Sequence, residues 1–461
     1  MNNKLKEFYE SIKGKHVTVL GLGVSNLPLI KMLTKKGAIV TGCDKKANPE
    51  LEDAYKAFLN MGVKLKLGES YLDNIDADII FKTPGIRIDI PELVEAKNKG
   101  AVITSEMEVF FELCPCKIIA VTGSDGKSTT TTLISEFLKA EGYNVFLGGN
   151  IGKPLLPEIE SITPESIAVV ELSSFQLHTM KKSPDIAVIT NITPNHLDMH
   201  KSMEEYIDAK ANIFKYQNED NILVLNYDNE ITRSFGVKAK SKVRYFSSHT
   251  KLIDGLYYNN DIILNANKNN SEILLKRDEI KLPGDHNVEN IMAAILAVKD
   301  LVNMKAIKKV AATFSGIEHR IEFVREIDGI KFYNDSIASS PTRTIACFKS
   351  FLQKIILIAG GYDKKIPFDE LGEKINEHVK CLILTGDTAE KIYNSVVNAP
   401  NYKEGRLPII KCENLCTAVQ LAKNNAEKGD IVVFSPACAS FDRFKNFEER
   451  GKFFKNAVNS L

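Results

Sequence analysis

The sequence predicts an α/β protein built from three consecutive α/β domains, and two observations carry this prediction. Short apolar runs, typical of buried parallel strands, alternate with amphipathic helical patterns along most of the 461 residues. A glycine turn joins a strand to a helix near residue 21 and again near residue 123. We therefore expect Rossmann-like domains at residues 1–115 and 318–461, flanking a central domain of P-loop type at residues 116–317.

The first domain opens with a strand, a glycine turn and a helix. Val17–Leu20 is the predicted strand, Gly21 and Gly23 lie in the turn, and a second predicted strand ends at Asp44. The acidic residue follows the glycines at about the spacing of a dinucleotide-binding fingerprint, roughly twenty residues. The fingerprint is incomplete, because Asn26 stands where its third glycine is expected.

This half-complete fingerprint leaves three interpretations open. The first is a tight strand–helix turn that binds nothing. The second is an NAD-dependent oxidoreductase. The third is a nucleotide held by its diphosphate at the helix N-terminus, with Asp44 or Lys45 near the base or ribose.

The central domain begins with the stretch that carries the clearest chemistry. The apolar strand Ile118–Val121 is followed by Gly123–Thr129, which reads GSDGKST, and then by a helical pattern. Backbone N–H groups of such a turn cradle phosphate, Lys127 reaches the β- and γ-phosphates, and the hydroxyl of Ser128 or Thr129 ligates magnesium. An ordinary glycine turn is the alternative, but strand, helix and lysine together favour phosphate binding.

Four further polar residues of the central domain are predicted to lie at or near one edge of its sheet. Glu171 ends an apolar strand, where acidic residues beside a phosphate loop commonly hold magnesium. His196 and Asp198 follow the next strand, at the edge where open α/β sheets bind ligands, although a histidine there also occurs as an ordinary loop residue. Lys210 lies in a predicted helix near that edge; it is either a solvated lysine or a buried one with a depressed pKa or a covalent neutralisation.

Two regions are expected to contain antiparallel pairs. Between Val243 and Pro283 the pattern changes to short runs split by Asn and Gly, which predicts an antiparallel patch on the central domain. At the start of the third domain, Asp328-Gly329 between two apolar runs predicts a hairpin. Four short apolar strands of a parallel sheet follow it, namely Ile355–Ala359, Cys381–Thr385, Ile409–Lys411 and Ile431–Ser435.

Composition excludes several classes of partner. Lys+Arg number 60 and Asp+Glu 59, so the net charge is +1, which argues against nucleic acid or an anionic membrane surface. The N-terminal stretch lacks the apolar core of a signal peptide, and no apolar run approaches the ~18 residues of a membrane span. We therefore expect a cytoplasmic protein without membrane insertion, whose eight cysteines are free thiols in a reducing compartment. We also expect a monomer, although nothing in the composition determines the oligomeric state.

A series of motifs resembles the Mur ligase family in order and spacing. The shortened phosphate loop TGSDGKST is similar to those of Mur ligases and folylpolyglutamate synthetases, since Val121 replaces the first glycine of the usual P-loop. The stretch Ser435–Gly451, SPACASFDRFKNFEERG, is most similar to the family branch that uses D-glutamate. The remaining motifs that carry the resemblance are GNIG, ELSSFQL, NITPNHLD, AKANIF, HNVEN, EHR and NDS.

The resemblance implies ATP-dependent amide-bond formation with two magnesium ions, joining D-glutamate to UDP-N-acetylmuramoyl-L-alanine in peptidoglycan precursor synthesis. It implies catalytic roles for Lys127, His196 and Lys210, the last of them carbamylated. It implies ATP contacts at Gly123, Ser124, Asp125, Gly126, Lys127, Ser128, Thr129, Asn287, Asn290, Arg320 and Asp335. It implies metal ligation by Ser128, Glu171, His196 and Lys210.

The substrate contacts that the resemblance implies fall on all three domains. Those for the UDP-sugar are Gly23, Val24, Ser25, Asn26, Asp44, Lys45, Thr83, Gly85, Asn150 and Ser173. Those for D-glutamate are Ser339, Lys364, Ser440 and Phe447. One departure is Ile337, which stands where the family often has a lysine, so no role is carried over to it.

Four other assignments remain as alternatives. Another Mur ligase is disfavoured by the ASFDRF stretch, and a folylpolyglutamate synthetase by the glycine turn of the first domain. A nicotinamide oxidoreductase leaves the central phosphate loop unexplained. A Mur-ligase-like partner of an amidotransferase carries a four-cysteine zinc insertion, and the sequence has no such cluster.

Overall fold

The computed structural model describes residues 3–23, 26–45, 52–194, 200–268, 270–282, 284–348, 350–363 and 367–461. The chain divides into two compact units, Met1–Phe314 and Ser315–Leu461. The first unit contains two sheets and the second contains one. The predicted α/β class is confirmed, while the two boundaries drawn from the sequence between the three domains stay predictions.

The first sheet has five parallel strands in the order β3-β2-β1-β4-β5. Its strands are β1 His16–Leu20, β2 Ile39–Asp44, β3 Lys64–Leu67, β4 Ile79–Lys82 and β5 Val102–Thr104. The helices of this region are α1 Asn3–Ile12, α2 Asn26–Lys35, α3 Glu52–Asn60, α4 Pro91–Asn98 and α5 Glu106–Leu113. The order changes direction between β1 and β4, so the turns that follow these two strands lie side by side, as at ligand crevices of open α/β sheets.

The second sheet has nine strands in the order β14-β13-β12-β11-β10-β9-β6-β8-β7. Its strands are β6 Lys117–Thr122, β7 Val145–Gly149, β8 Ile167–Glu171, β9 Ile186–Ile189, β10 Ile222–Asn226, β11 Lys242–Ser247, β12 Gly255–Asn259, β13 Ile262–Asn267 and β14 Asn270–Lys276. The helices are α6 Lys127–Glu141, α7 Ser174–Leu177, α8 Met203–Lys215, α9 Glu230–Lys238, α10 Asp285–Val298 and α11 Met304–Thr313, with 3₁₀ turns at Leu156–Ser161 and Arg277–Glu279. Helix α10 is buried along nearly its whole length.

The antiparallel patch predicted from Val243 is shorter than expected. Strand β11 runs parallel to β10, and antiparallel pairing begins only between β12 and β13. The reason is helix α9, which returns the chain to the starting edge of the sheet before β11 and so makes a parallel crossover. Strand β12 is also parallel to β11, and the chain reverses directly only from β12 to β13 and again from β13 to β14.

The third sheet has the order β15-β16-β20-β17-β18-β19. Its strands are β15 Glu322–Ile327, β16 Ile330–Asn334, β17 Ile355–Ala359, β18 Val379–Leu384, β19 Ile409–Lys411 and β20 Ile431–Phe434. The helices are α12 Pro341–Phe348, α13 Asp369–His378, α14 Ala389–Val397, α15 Leu415–Asn424 and α16 Phe447–Asn459. The predicted hairpin is confirmed: β15 and β16 are antiparallel, and Asp328 and Gly329 both have positive φ, of 53° and 80°.

Within the part of the chain that the structure describes, no helix combines the length and apolar character that a membrane crossing requires.

Candidate active site

The phosphate loop joins β6 to α6, and its glycines are required by close packing. Gly126 has φ of 77° and precedes the first residue of α6. A Cβ on Gly126 would lie 2.2 Å from Asn290 Oδ1, and a Cβ on Gly123 would lie 1.9 Å from Thr190 Oγ1. Neither position can accept a larger residue without moving the loop.

The loop is held in place by the residues that end the neighbouring strand β9. Asn191 accepts hydrogen bonds from Ser124 N and, through Oδ1, from Asp125 N, both at 2.9 Å. Thr190 Oγ1 donates to Asp125 O at 2.6 Å. These contacts position the backbone before any ligand binds. Neither anchor was predicted from the sequence, although Asn191 opens the NITPNHLD motif that carries His196 and Thr190 directly precedes it.

Lys127 is the first residue of α6, and its side chain folds back over the loop. Its Nζ donates to Ser124 O at 2.8 Å. Ser128 is buried and Thr129 is half-buried directly after it. The ammonium, the helix N-terminus and the loop N–H groups thus converge, which is the arrangement that binds an anion such as phosphate.

Lys210 of α8 lies under the same loop and is only 2% exposed. Its Nζ donates to Gly123 O at 2.7 Å and to Thr122 Oγ1 at 3.2 Å. Burial lowers the pKa of Lys210 well below its ordinary value, and Lys127 lowers it further, against the opposing effects of Glu171 and Asp125. Of the two interpretations left open by the sequence, the structure supports the buried lysine.

Glu171 ends β8, beside β6, and is 1% exposed. Its Oε1 accepts a hydrogen bond from Asn150 Nδ2 at 2.8 Å, whereas Oε2 has no hydrogen-bond partner among the described residues. A buried carboxylate oxygen without a donor is costly, and a bound cation would remove that cost. The described residues contain no cluster of three or more His, Cys, Asp or Glu that could hold a metal by themselves. Substrate oxygens would therefore have to supply further ligands.

Asn287 and Asn290 of α10 lie behind the loop. Asn290 Oδ1 accepts from Thr130 Oγ1 at 3.2 Å, and its Nδ2 donates to Asn287 Oδ1 at 2.9 Å. A cavity of about 160 Å³ opens here. Asp125, Gly126, Thr190, Phe246, Glu289 and Asn290 are among the residues that line it. The cavity continues the phosphate loop and offers room for the remainder of a bound nucleotide.

The glycine turn of the first domain is tied together by the residues that were predicted to bind the UDP-sugar. Asp44 Oδ2 accepts from Leu22 N at 2.6 Å. Asn26 Nδ2 donates to Gly21 O at 2.7 Å, which explains why an asparagine stands at the third glycine position. Thr83 packs on Gly21, where a Cβ would lie 2.9 Å from Thr83 Cγ2.

The other predicted UDP-sugar residues vary in exposure. Lys45 forms an exposed ion pair with Glu69 at 3.3 Å. Gly23, Gly85 and Asn150 are exposed. Ser173 caps α7 in a reciprocal pair with Gln176.

An ion cluster joins the Thr83–Gly85 turn to the central sheet. Arg87 donates to both carboxylate oxygens of Glu205, at 2.8 and 3.2 Å, and Lys201 pairs with Asp89 at 2.6 Å. Arg87 holds the pKa of Glu205 at about 2. Because Glu205 lies on the same helix as Lys210, the cluster aligns the predicted UDP-sugar turn with the phosphate-loop region.

The predicted residues of the second unit gather where β16 and β20 end. Ser440 is buried, whereas Ser339 and Phe447 are half-buried and Arg320 is exposed. Asp335 accepts from Ser435 Oγ at 2.7 Å, and its burial raises the pKa of the carboxyl to about 6.

Arg450 is a structurally important residue of this region that was not predicted from the sequence. It is 2% exposed, and its guanidinium donates to Ser336 O at 2.8 Å, Cys438 O at 3.0 Å and Ala439 O at 2.7 Å. It therefore ties the loop after β16 to the loop after β20, which carries Ser440. The sequence did contain an indication of this role. Arg450 lies on the apolar face of an amphipathic helix, and a buried arginine requires a polar partner.

Replacement of Arg450 by methionine is expected to lower the free energy of unfolding by about 3 kcal/mol, because three buried carbonyls each lose a hydrogen bond, although Ala439 O keeps the one from Tyr362 N at 3.0 Å. Urea unfolding measures this change. Lys452→Met, an exposed position on the same helix, is the matched control and should change stability by less than about 0.5 kcal/mol. Equal effects of the two variants on stability would contradict the proposed role of Arg450 in holding the two loops together.

Five residues singled out in the sequence lie outside the described residues. They are Val24, Ser25, His196, Asp198 and Lys364. Their roles stay predictions.

The fold and the loop define a class: a P-loop-type α/β protein with a buried carboxylate and a buried lysine beside the phosphate loop. Three family models match along the chain, described as the Mur ligase MurD-like N-terminal domain at residues 15–105, the Mur ligase middle domain at 121–298 and the Mur ligase glutamate ligase domain at 319–438. The chain belongs to the Mur ligase family.

Curated relatives match over their whole length. The UDP-N-acetylmuramoylalanine–D-glutamate ligase of Acetivibrio thermocellus is 56% identical over 465 residues, covering 100% of both chains. The protein of the same name from Clostridium kluyveri is 53% identical over 462 residues, again covering 100% of both.

Solved structures share the fold at low sequence identity. The UDP-N-acetylmuramate-alanine ligase of Thermotoga maritima matches 97% of this chain and 99% of its own, with a TM-score of 0.54 and 17% identity. The MurF ligase of Thermotoga maritima in complex with ADP matches 98% of this chain and 97% of its own, with a TM-score of 0.51 and 19% identity.

Proposed function

We propose that this protein is an ATP-dependent ligase that adds D-glutamate to UDP-N-acetylmuramoyl-L-alanine. The observation that carries the proposal is the match of the entire chain to relatives that bear the name of this ligase, at 56% and 53% identity. The phosphate loop, the buried Glu171 and the buried Lys210 supply the chemistry that such a reaction needs.

The reaction requires an activated acyl group, because a carboxylate does not react with an amine directly. The substrate carboxylate attacks the γ-phosphate of ATP, giving an acyl phosphate and ADP. The amine of D-glutamate then attacks the acyl carbon, and the tetrahedral intermediate expels phosphate. The loop N–H groups and Lys127 bind the transferring phosphoryl group and stabilise the charge that develops on it.

The residues beside the loop fit a magnesium ion. Ser128 and Glu171 would hold it, and the fit rests on Glu171 Oε2, a buried oxygen without a hydrogen-bond partner in the described residues. When bound, magnesium neutralises phosphate charge. A second ion would use His196 and a carbamate on Lys210.

Lys210 is suited to carbamylation because its environment favours the uncharged amine. Carbon dioxide adds only to the neutral amine, and both burial and Lys127 favour that form. The product carries a negative charge, which Lys127 would then attract rather than repel. The modification thus turns the unfavourable Lys127–Lys210 charge pair into a favourable one, whereas Glu171 and Asp125, which attract the ammonium, would repel the carbamate.

The proposal is tested by phosphate release from ATP with purified protein. Release is expected only when UDP-N-acetylmuramoyl-L-alanine and D-glutamate are both present, with L-glutamate, D-alanine and L-lysine as unreactive controls. Release with a different amino acid, or with a folate in place of the UDP-sugar, would assign the chain to another reaction.

Amino-acid choice is proposed to lie in the third domain, on Ser339, Lys364, Ser440 and Phe447. A lysine following the parallel strand β17 suits the side-chain carboxylate of D-glutamate. Lys364→Ala is expected to raise KM for D-glutamate about tenfold or more, since a charge-assisted hydrogen bond is lost. KM for ATP and for the UDP-sugar should stay nearly unchanged.

The neighbouring lysine provides the control for this prediction. Lys365→Ala removes the same charge one residue away and should leave all three KM values unchanged. If Lys364→Ala shifted all three values together, or none, the D-glutamate site would have to lie elsewhere.

A further inference from the structure

Cys114 and Cys116 form a thiol pair that the proposed ligase reaction does not use. Their Sγ atoms lie 3.5 Å apart, which is hydrogen-bond distance for sulfur, and only Pro115 separates the two residues. Since a disulfide has an S–S length of ~2.05 Å, an approach of about 1.5 Å would bring the sulfurs to bonding distance. All eight cysteines are free thiols, and among the described residues only this pair has its two sulfur atoms in contact.

The backbone holds the pair from both sides. Cys114 ends helix α5, and its N–H donates to Phe110 O at 2.8 Å. Cys116 directly precedes β6, whose first residue, Lys117, pairs with Ile167 of β8. Proline between the cysteines fixes its own φ. Because little chain freedom is left to lose, ring closure between the two sulfurs costs little conformational entropy.

The two thiols differ in accessibility and in acidity. Cys114 is half-buried, whereas Cys116 is buried. The hydrogen bond with Cys116 holds the pKa of Cys114 below its ordinary value, against an opposing effect of burial. The same hydrogen bond raises the pKa of Cys116, and burial raises it further. Since the thiolate is the nucleophile, Cys114 is the thiol that reacts first and Cys116 is the one that resolves.

Charged groups around Cys114 act in both directions. Lys182 favours the thiolate and Asp185 disfavours it. Lys182 also pairs loosely with Glu112, at 3.6 Å. The carboxylate of Asp185 is engaged by Ile118 N at 2.7 Å, which reduces its effect on the neighbouring sulfur.

We propose that Cys114 and Cys116 are a redox modification site, a dithiol that low-molecular-weight disulfides oxidise to an intramolecular disulfide. The pair stands before β6, and the phosphate loop follows that strand. Six residues of strand, about 20 Å, separate the two sites. The modification therefore does not depend on the ligase reaction and can be detected without it.

The oxidation proceeds by two exchange steps. The Cys114 thiolate attacks one sulfur of the small disulfide RSSR, which forms a mixed disulfide and releases RS⁻. Cys116 gives its proton to the released thiolate and attacks Cys114 Sγ, which expels the second RS⁻. That thiolate takes up the proton that Cys114 lost. Two electrons pass to RSSR, and two molecules of RSH leave.

The test uses the full-length reduced protein and oxidised glutathione as the probe, followed by acid quenching, alkylation and peptide mass spectrometry. Tryptic cleavage after Lys99 and Lys117 places both cysteines in one peptide, residues 100–117. That peptide is expected to lose the mass of two hydrogen atoms and to resist alkylation. Treatment with a reducing thiol should restore both alkylation sites.

A matched control pair lies in the same chain. Cys412 and Cys416 share the tryptic peptide 412–423. Cys412 is half-buried and Cys416 is exposed, and within the described part of the chain their sulfur atoms are not in contact with each other. They are expected to stay alkylatable or to carry glutathione, without an internal disulfide. Cys116→Ser should stop at the mixed disulfide on Cys114, and Cys114→Ser should react about tenfold more slowly than wild type.

Three results would overturn the proposal. The first is a wild-type peptide 100–117 that stays fully alkylatable in oxidised glutathione. The second is one that stops at a mixed disulfide, and the third is an equally rapid disulfide in peptide 412–423. Since the wild-type protein alone decides among these, a variant that failed to fold would not affect the result. None of the three bears on whether the protein ligates D-glutamate.

Discussion

Lys127→Ala is expected to lower kcat for phosphate release by about a hundredfold or more, the usual loss when a donor that stabilises transition-state charge is removed. The side chain donates to Ser124 O at 2.8 Å, and it sits at the N-terminus of α6. A phosphoryl group in the loop offers a stronger partner than that carbonyl. The stabilisation lost therefore belongs mainly to the transition state, and KM for ATP should change less than kcat.

The comparison that isolates this effect is Lys139→Ala. Lys139 lies on the same helix, forms a surface ion pair with Glu136 at 2.8 Å, and is exposed. Its loss should leave kcat within a factor of about two, because exposed pairs contribute little. Near-normal phosphate release by Lys127→Ala would remove Lys127 from the catalytic assignment.

Lys210→Ala is expected to be nearly inactive, and a short carboxylic acid such as acetate is expected to restore part of the activity. The side chain is buried under the loop, with its Nζ 2.7 Å from Gly123 O. If the working form is the carbamate, the missing group is an anion, and acetate can occupy the space that the alanine leaves. Steady-state phosphate release with increasing acetate measures the recovery.

The charge of the replacing side chain distinguishes a carbamylated Lys210 from a lysine that only fills space. Lys210→Arg keeps a long side chain and the positive charge and should remain nearly inactive, because the required charge is negative. Lys215→Ala, an exposed position on the same helix, should behave as wild type. Full activity of the arginine variant would mean that Lys210 serves only as a cation. Acetate recovery also rules out misfolding as the cause of inactivity, since a misfolded variant would not respond.

Sequence patterns predicted correctly those features of the fold that depend on residues close together in the chain. Alternating strand and helix patterns predicted the α/β class, and Asp328-Gly329 predicted the hairpin, because left-handed backbone conformations are tied to particular residue types. The same reasoning located the phosphate loop from Gly123, Gly126 and Lys127. It failed for β11, where a helix in the crossover decided the strand direction.

The sequence by itself determined the class of fold, the phosphate loop and the resemblance to one ligase family, since all three depend on residue types at short spacing. Only the tertiary structure decided which polar groups meet. Thr190 and Asn191 hold the loop because β9 lies beside β6, and Arg450 clamps two loops because β16 lies beside β20. The burial of Lys210, and with it the depressed pKa, likewise follows from α8 packing under the loop. Which strands lie side by side depends on contacts between residues that are far apart in the chain. The spacing of residues within a short stretch does not reveal these contacts.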